Sequence, residues 1–132
     1  MGRTPLENAK VYEWMCWLSG TVHSQGYGHL FRAERYTSEG SEAGRDMVRR
    51  RARETLGKAF EVIEGRLGEK GWAVGEGLTA VDAYLFVFFR WGNIYGFELK
   101  EKYPKYTALM RKLLERGSVK RALASEGIES TL

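Results

Sequence analysis

The stretch Leu78-Thr79-Ala80-Val81-Asp82-Ala83-Tyr84-Leu85 decides the fold, because it predicts the start of a helix at the centre of the molecule. Thr79 is a typical N-cap residue, since its hydroxyl can accept a hydrogen bond from the backbone N–H three residues on. The Asp82 carboxylate can reach back to the backbone N–H of Thr79, which completes a capping box. The sequence therefore predicts a helix that begins just after Thr79.

The residues that follow the capping box are apolar on every side of this predicted helix. They run Tyr84-Leu85-Phe86-Val87-Phe88-Phe89 and end at Arg90-Trp91. A helix that is apolar all round lies in a protein core or in a membrane. Asp82 and Arg90 interrupt the run, and it is much shorter than the roughly 20 apolar residues that a bilayer requires. We therefore expect a fully buried core helix that ends near Gly96, and no membrane span.

Four further helices are indicated by apolar residues that recur at intervals of three and four. Gly26 and Gly28 are expected to loosen the chain after the first of them, and the polar segment 36–44 is expected to form the next loop. No strand-like alternation of useful length occurs. The predicted fold is all-α, a bundle of five helices in one domain spanning residues 1–132. These helices run from Pro5 to about Ser24, from the end of segment 36–44 to Gly68, from Thr79 to about Gly96, from Pro104 to Arg116, and, with Ser118 as N-cap, from Val119 to about Ser125.

The composition is that of a packed globular protein. Hydrophobic residues make up 43% of the 132 residues and charged residues 29%. The N-terminal residues have no apolar run like that of a secretory signal, so a cytoplasmic location is expected. Cys16 is the only cysteine, which excludes an internal disulfide, and with His23 and His29 it offers too few ligands for zinc. No metal site is predicted.

The net charge of +4 raises the question of nucleic-acid binding. The densest basic run lies between Arg45 and Arg53, where arginines are interleaved with Asp46. This pattern is typical of the solvated face of a helix, and no nucleic-acid-binding motif accompanies it. We therefore expect no nucleic-acid partner.

Three segments of the chain resemble the glutathione transferases in order and spacing. Residues 14–23 (WMCWLSGTVH) with Leu30-Phe31-Arg32 resemble the fourth helix of the bacterial beta class and its fungal relatives. Residues 75–91 resemble the family's buried sixth helix with its capping box. Tyr103-Pro104 with residues 118–127 resembles the last two helices. The resemblance covers about residues 8–128 and implies the C-terminal helical domain of a glutathione transferase.

The resemblance also implies what a complete transferase would need in addition. These enzymes carry an N-terminal thioredoxin-like domain that binds glutathione and activates its thiol, and this chain shows no βαβ pattern. We expect no tightly bound cofactor, and glutathione as a co-substrate only if such a domain is supplied. The expected partner is a second copy of the chain, as a homo-oligomer (dimer), or a thioredoxin-like domain in trans.

Two residues are placed by the resemblance at the border of the glutathione cleft. His23 falls on the position of a beta-class histidine, and an imidazole there can donate to a thiolate or a carboxylate. The alternative is a histidine that caps the helix end or is satisfied inside the core. Cys16 stands where many beta-class members have an asparagine, and a thiol, which is only a weak donor and a weak acceptor, cannot replace the amide as a two-way hydrogen-bond partner. A small buried apolar role is expected for Cys16, and no residue is predicted to be catalytic.

The resemblance further implies a wall for a hydrophobic substrate, and aromatic residues at helical spacing are its candidates. The same residues could equally be core. Arg90-Trp91 is the favoured pair, because it follows the buried helix where the family's wall meets the cleft. The candidates are Tyr12, Trp17, Tyr27, Phe31, Arg90 and Trp91.

The sequence is also compatible with a second function. The transferase-like domains of translation elongation factor and aminoacyl-tRNA synthetase complexes serve as non-catalytic protein-interaction modules. The sequence alone does not separate such a module from a domain that supplies a substrate wall or a subunit-packing surface.

Overall fold

A computed structural model describes residues 1–38, 40–68 and 71–129 of the chain. This part of the protein is all-helical, as predicted. The α-helices are α1 (Pro5–Trp17), α2 (His29–Phe31), α3 (Glu42–Arg66), α4 (Ala80–Ile94), α5 (Leu99–Lys102), α6 (Pro104–Leu114) and α7 (Gly117–Ser125), with a π-helical segment at Leu18–Gly28 and a 3₁₀ turn at Ala33–Arg35.

The first predicted helix is longer than expected. The prediction that it ends near Ser24 and is loosened by Gly26 and Gly28 is wrong, because α1 continues through the π-helical segment into α2. Gly26 has a packing role instead: a Cβ atom placed on it would lie 2.5 Å from Cδ2 of Leu56 on α3. Glycine at this position therefore lets the π-helical segment approach α3 closely.

α4 lies at the centre of the described structure, as predicted, and packs against α1, α5 and α6. Two buried tyrosines from neighbouring helices fix its backbone. The Tyr27 hydroxyl donates to the carbonyl of Phe88 at 2.6 Å, and the Tyr106 hydroxyl donates to the carbonyl of Leu85 at 2.6 Å. Each hydroxyl is buried with a partner, which avoids the cost of an unsatisfied polar group.

The burial of α4 is complete on one face only. Leu85, Phe88 and Phe89 are fully buried. Val87 is 38% exposed and Ile94 is 72% exposed on the opposite face. The prediction of a fully buried helix thus holds for the inner face, and the outer face of α4 is apolar but open.

The helices after α4 differ from the prediction in two details. A short helix, α5, was not predicted, and it begins after Glu98, which has a positive φ of 53°. The predicted N-cap of the last helix, Ser118, is wrong by two residues. Arg116 is the N-cap, since its carbonyl accepts the first helical hydrogen bond, from the N–H of Lys120. Pro104 opens α6 as predicted.

Two features are absent from the described residues. No helix among them is long and apolar enough to cross a membrane. Within the same ranges, no group of three or more His, Cys, Asp or Glu side chains is arranged to hold a metal ion.

Candidate functional site

The predicted capping box is present and sets the position of α4. Asp82 is fully buried. Its Oδ2 accepts from the backbone N–H of Thr79 at 2.7 Å and from the Thr79 hydroxyl at 2.8 Å. Its Oδ1 accepts from the backbone N–H of Ala73 at 2.8 Å. One carboxylate therefore joins the start of α4 to the connection that precedes it.

An aromatic cluster lies between the π-helical segment with α2 on one side and α4 on the other. We call it the aromatic cluster throughout. Its best stacked pair is Tyr27 with Phe88, whose ring centroids are 5.4 Å apart with an interplanar angle of 17°. Phe31 bridges to the end of α4, with its centroid 5.1 Å from Trp91 and 5.0 Å from Tyr95. The members of the cluster are His23, Tyr27, Phe31, Tyr84, Phe88, Trp91 and Tyr95.

His23 is the polar member at the exposed side of the aromatic cluster. Its Nδ1 lies 2.8 Å from the hydroxyl oxygen of Tyr84, which is a hydrogen bond. The imidazole centroid is 5.8 Å from that of Trp91 and 6.0 Å from that of Phe88. The ring is therefore held from one side by aromatic packing and at one nitrogen by a phenol.

The other hydroxyl in the cluster, that of Tyr27, has a structural role. Burial raises the pKa of Tyr27 far above its ordinary value, because the phenolate would be desolvated. With its proton committed to the carbonyl of Phe88, Tyr27 cannot act as an acid near neutral pH.

The second feature is a groove on the outer face of α4. It has a volume of about 560 Å³, and its walls are almost entirely apolar side chains from α4, α6 and α7. We call it the α4–α7 groove. Trp91 lines it and also belongs to the aromatic cluster, so the two features share one side chain. The other main lining residues are Phe86, Val87, Ile94, Val119, Ala122 and Leu123.

Three of the six predicted wall residues come together in the aromatic cluster: Tyr27, Phe31 and Trp91. The predicted border residue His23 lies in the same cluster. Arg90 does not, although it is adjacent to Trp91 in sequence. Its Nη1 donates to the carbonyl of Glu129 at 2.9 Å, on the side of the α4–α7 groove.

The remaining predicted residues lie elsewhere. Tyr12 is 58% exposed on α1. Trp17 lines a separate small cavity that lies between α3 and the junction of α1 with the π-helical segment. Lys58 and Val62 line the same cavity. Cys16 is exposed, so the expected buried apolar role is wrong.

Three members of the cluster, Tyr84, Phe88 and Tyr95, were not among the predicted site residues. Together with Trp91 they follow one another at intervals of four, three and four along α4. That spacing places side chains on one face of a helix, and it was the available signal.

Comparison with known proteins identifies the family. The profile described as "Glutathione S-transferase, C-terminal domain" matches residues 24–116, which is more than half of the chain. The chain therefore belongs to the glutathione S-transferase family, in which it corresponds to the C-terminal domain.

Two curated relatives agree with this assignment. Glutathione S-transferase GstA of Escherichia coli O157:H7 is 29% identical over 120 residues, which make up 91% of this chain and 54% of GstA. Glutathione S-transferase GST-4.5 of Xanthomonas campestris pv. campestris is 26% identical over 125 residues, or 95% of this chain and 59% of that protein. The chain thus spans somewhat more than half the length of these relatives.

Two solved structures share the fold. A glutathione transferase homologue from Sulfitobacter, determined with bound glutathione, superposes with a TM-score of 0.84 at 24% identity, covering 98% of this chain and 60% of that one. The glutathione S-transferase from Xylella fastidiosa superposes with a TM-score of 0.78 at 23% identity, covering 96% of this chain and 59% of that one.

Proposed function

We propose that this chain is the helical half of a glutathione-transferase-type protein, in which the aromatic cluster forms the wall of a hydrophobic-substrate site. The α4–α7 groove would seat the thioredoxin-like half that binds glutathione. The observation that carries the proposal is the shared position of Trp91, which lines the groove and packs in the cluster. A domain seated in the groove would therefore lie next to the cluster, and substrate would be enclosed between them.

The character of the groove supports this occupant. An apolar groove on a protein surface is a common contact site for a partner. The chain matches a C-terminal domain and spans 54% of GstA, so the part of the family's architecture that it does not match is the natural partner. Without that domain, a second copy of the chain is the alternative cover, and a dimer is the expected assembly.

The chemistry follows from this division of roles. The helical half supplies packing and polar groups at the border, with His23 at the exposed side of the cluster. Thiol activation would come from the thioredoxin-like half, with glutathione as co-substrate and with no tightly bound cofactor. The chain alone is therefore expected to bind apolar molecules but not to conjugate them. A cytosolic location fits this function.

The test is a fusion of a glutathione-binding, thioredoxin-like domain from a transferase of the family to the N-terminus of this chain. Conjugation of glutathione to an aryl halide is measured for the fusion, for the chain alone and for the added domain alone. We expect turnover from the fusion only, because neither half has both the activated thiol and the wall.

Two variants then test the wall itself. Phe31→Ala removes an exposed ring of the aromatic cluster, and it should raise KM for the aryl halide about tenfold, the effect of losing one aromatic contact of about 1–1.5 kcal/mol. Tyr12→Ala removes an exposed ring outside the cluster and should leave KM unchanged. Equal KM values for both variants, or an inactive fusion that is folded, would contradict the proposal and favour a non-catalytic interaction module.

A further inference from the structure

The hydrogen bond between His23 and Tyr84 carries an inference beyond the wall. Tyr84 comes from α4 and His23 from the π-helical segment, 61 positions apart in sequence, so the bond joins the two sides of the aromatic cluster. The Tyr84 ring is anchored independently, with its centroid 4.4 Å from that of the fully buried Phe88. The packing of the Tyr84 ring therefore fixes the position of its hydroxyl, and the hydrogen bond to that hydroxyl orients the imidazole of His23.

The direction of this hydrogen bond follows from the chemistry of the two groups. A neutral imidazole has one nitrogen that donates and one that accepts, and a phenol can do either. The phenol O–H is a stronger acid than the N–H of a neutral imidazole, and the unprotonated imidazole nitrogen is more basic than a phenol oxygen and is therefore the better acceptor. The favoured arrangement is therefore O–H of Tyr84 donating to Nδ1 of His23.

This arrangement determines what the histidine offers to a ligand. When Nδ1 accepts, the ring proton of neutral His23 is on Nε2, which points its N–H away from Tyr84. Within the described residues, the His23 ring is hydrogen-bonded only through Nδ1. The residue is exposed, so Nε2–H is available to a molecule that lies on the cluster.

We propose that Tyr84 is a positioning residue: it selects the Nε2–H tautomer of His23, so that an anionic or lone-pair acceptor of a bound molecule receives that hydrogen bond while its apolar part contacts the aromatic cluster. The ligand class is an apolar or aromatic molecule that carries a thiolate or carboxylate. The functional consequence rests on the proposed function, whereas the tautomer does not.

The tautomer can be measured on the chain alone by NMR correlation of the imidazole nitrogens with the ring protons. The chain has only two histidines, and His29 serves as the internal control, because its ring packs on Tyr36 at a centroid distance of 3.9 Å. We expect neutral His23 to show an unprotonated Nδ1 and a protonated Nε2. Tyr84→Phe keeps the ring and removes the hydroxyl, so it should shift His23 towards a mixture of tautomers and leave the nitrogens of His29 unchanged.

Two results would overturn the positioning role. One is a protonated Nδ1 in neutral wild-type His23. The other is a Tyr84→Phe variant that is folded and has His23 nitrogens identical to those of the wild type. Neither result depends on catalysis, so failure here is distinct from an inactive fusion.

The consequence for binding is tested in the active fusion. Tyr84→Phe should lower kcat/KM for glutathione about threefold to tenfold, as expected when one hydrogen bond to a charged group is weakened. His23→Gln, whose side-chain amide can place a donor near the Nε2 position, should retain more activity than His23→Asn, whose shorter side chain cannot. Equal activity of these two His23 variants, or additive losses in the Tyr84→Phe/His23→Asn double variant, would contradict the proposal, because residues that act through one another are not additive.

Discussion

The two faces of α4 have similar side chains and opposite environments. On the inner face, Leu85 and Phe89 are fully buried among the other helices, while on the outer face Val87 and Ile94 are exposed in or beside the α4–α7 groove. The inner face holds the domain together, and the outer face contributes little to the stability of the chain alone. A contiguous apolar surface that a domain does not use for its own core is a candidate contact surface.

We expect the strongest loss of stability from a substitution on the inner face of α4, and a matched substitution on the outer face is its control. Leu85→Ala removes a fully buried side chain and should destabilise the chain by about 2–5 kcal/mol, because it leaves a cavity at the centre. Ile94→Ala removes the same number of carbon atoms from a side chain that is 72% exposed, and the change should be within about 0.5 kcal/mol. Urea unfolding of both variants provides the measurement. Similar losses of stability would mean that the two faces do not differ as described.

Asp82 stabilises the N-terminus of α4, where both faces of the helix begin. Asp82→Ala leaves the backbone N–H groups of Thr79 and Ala73 without their acceptor in a region that water does not easily reach. The expected loss is about 1–3 kcal/mol, or several degrees in the melting temperature. The control is Asp46→Ala, which removes an exposed carboxylate from α3 and should have almost no effect. A variant lacking Asp82 that melts with the wild type would contradict the role of the capping box.

The buried tyrosines that contact the inner face of α4 make the stability of the folded chain depend on pH in the alkaline range. Burial raises the pKa of Tyr106 and of Tyr27 in the folded chain, so the unfolded chain releases these protons at lower pH than the folded chain does. The contribution of the two tyrosines to the free energy of unfolding is fully present below the ordinary tyrosine pKa of about 10. It is lost as the pH rises from there towards the folded-state pKa.

The matching variant is Tyr106→Phe. It should cost about 1 kcal/mol at pH 7, the net value of one buried hydrogen bond, and it should unfold with a weaker pH dependence than the wild type above pH 10. Thermal melts from pH 7 to 11 measure both effects. An identical pH dependence of the two proteins would show that Tyr106 does not titrate in this way.

The sequence predicted the features that depend on neighbouring residues. The capping box at Thr79 and Asp82, the start of α6 at Pro104 and the all-helical class follow from local signals, and the structure confirms them. The family resemblance is confirmed as well.

Features that depend on distant contacts were not predictable in the same way. The first helix continues past Gly26 because that glycine packs on Leu56 of another helix, which no local pattern indicates. Arg90 and Trp91 are adjacent in sequence, yet the Arg90 guanidinium reaches the carbonyl of Glu129 while the Trp91 ring packs on the aromatic cluster. An apolar run also cannot show which of its faces meets the rest of the chain, so the openness of the outer face of α4 required the structure.

Val87→Glu tests whether the outer face of α4 seats the thioredoxin-like half. The side chain is 38% exposed in the α4–α7 groove, so a carboxylate there can remain hydrated and the chain alone should lose less than about 0.5 kcal/mol. In the fusion, the same charge would be buried at the contact between the halves, at a cost of several kcal/mol. The control, Met47→Glu, places the same charge on an exposed position of α3.

The measurement is glutathione conjugation by the two fusion variants, alongside unfolding of the corresponding chains. We expect Val87→Glu to leave the chain folded and to lower the activity of the fusion at least tenfold, an estimate based on about 1.4 kcal/mol per factor of ten. Met47→Glu should change neither quantity. A Val87→Glu fusion with wild-type activity would show that the groove is not where the two halves meet.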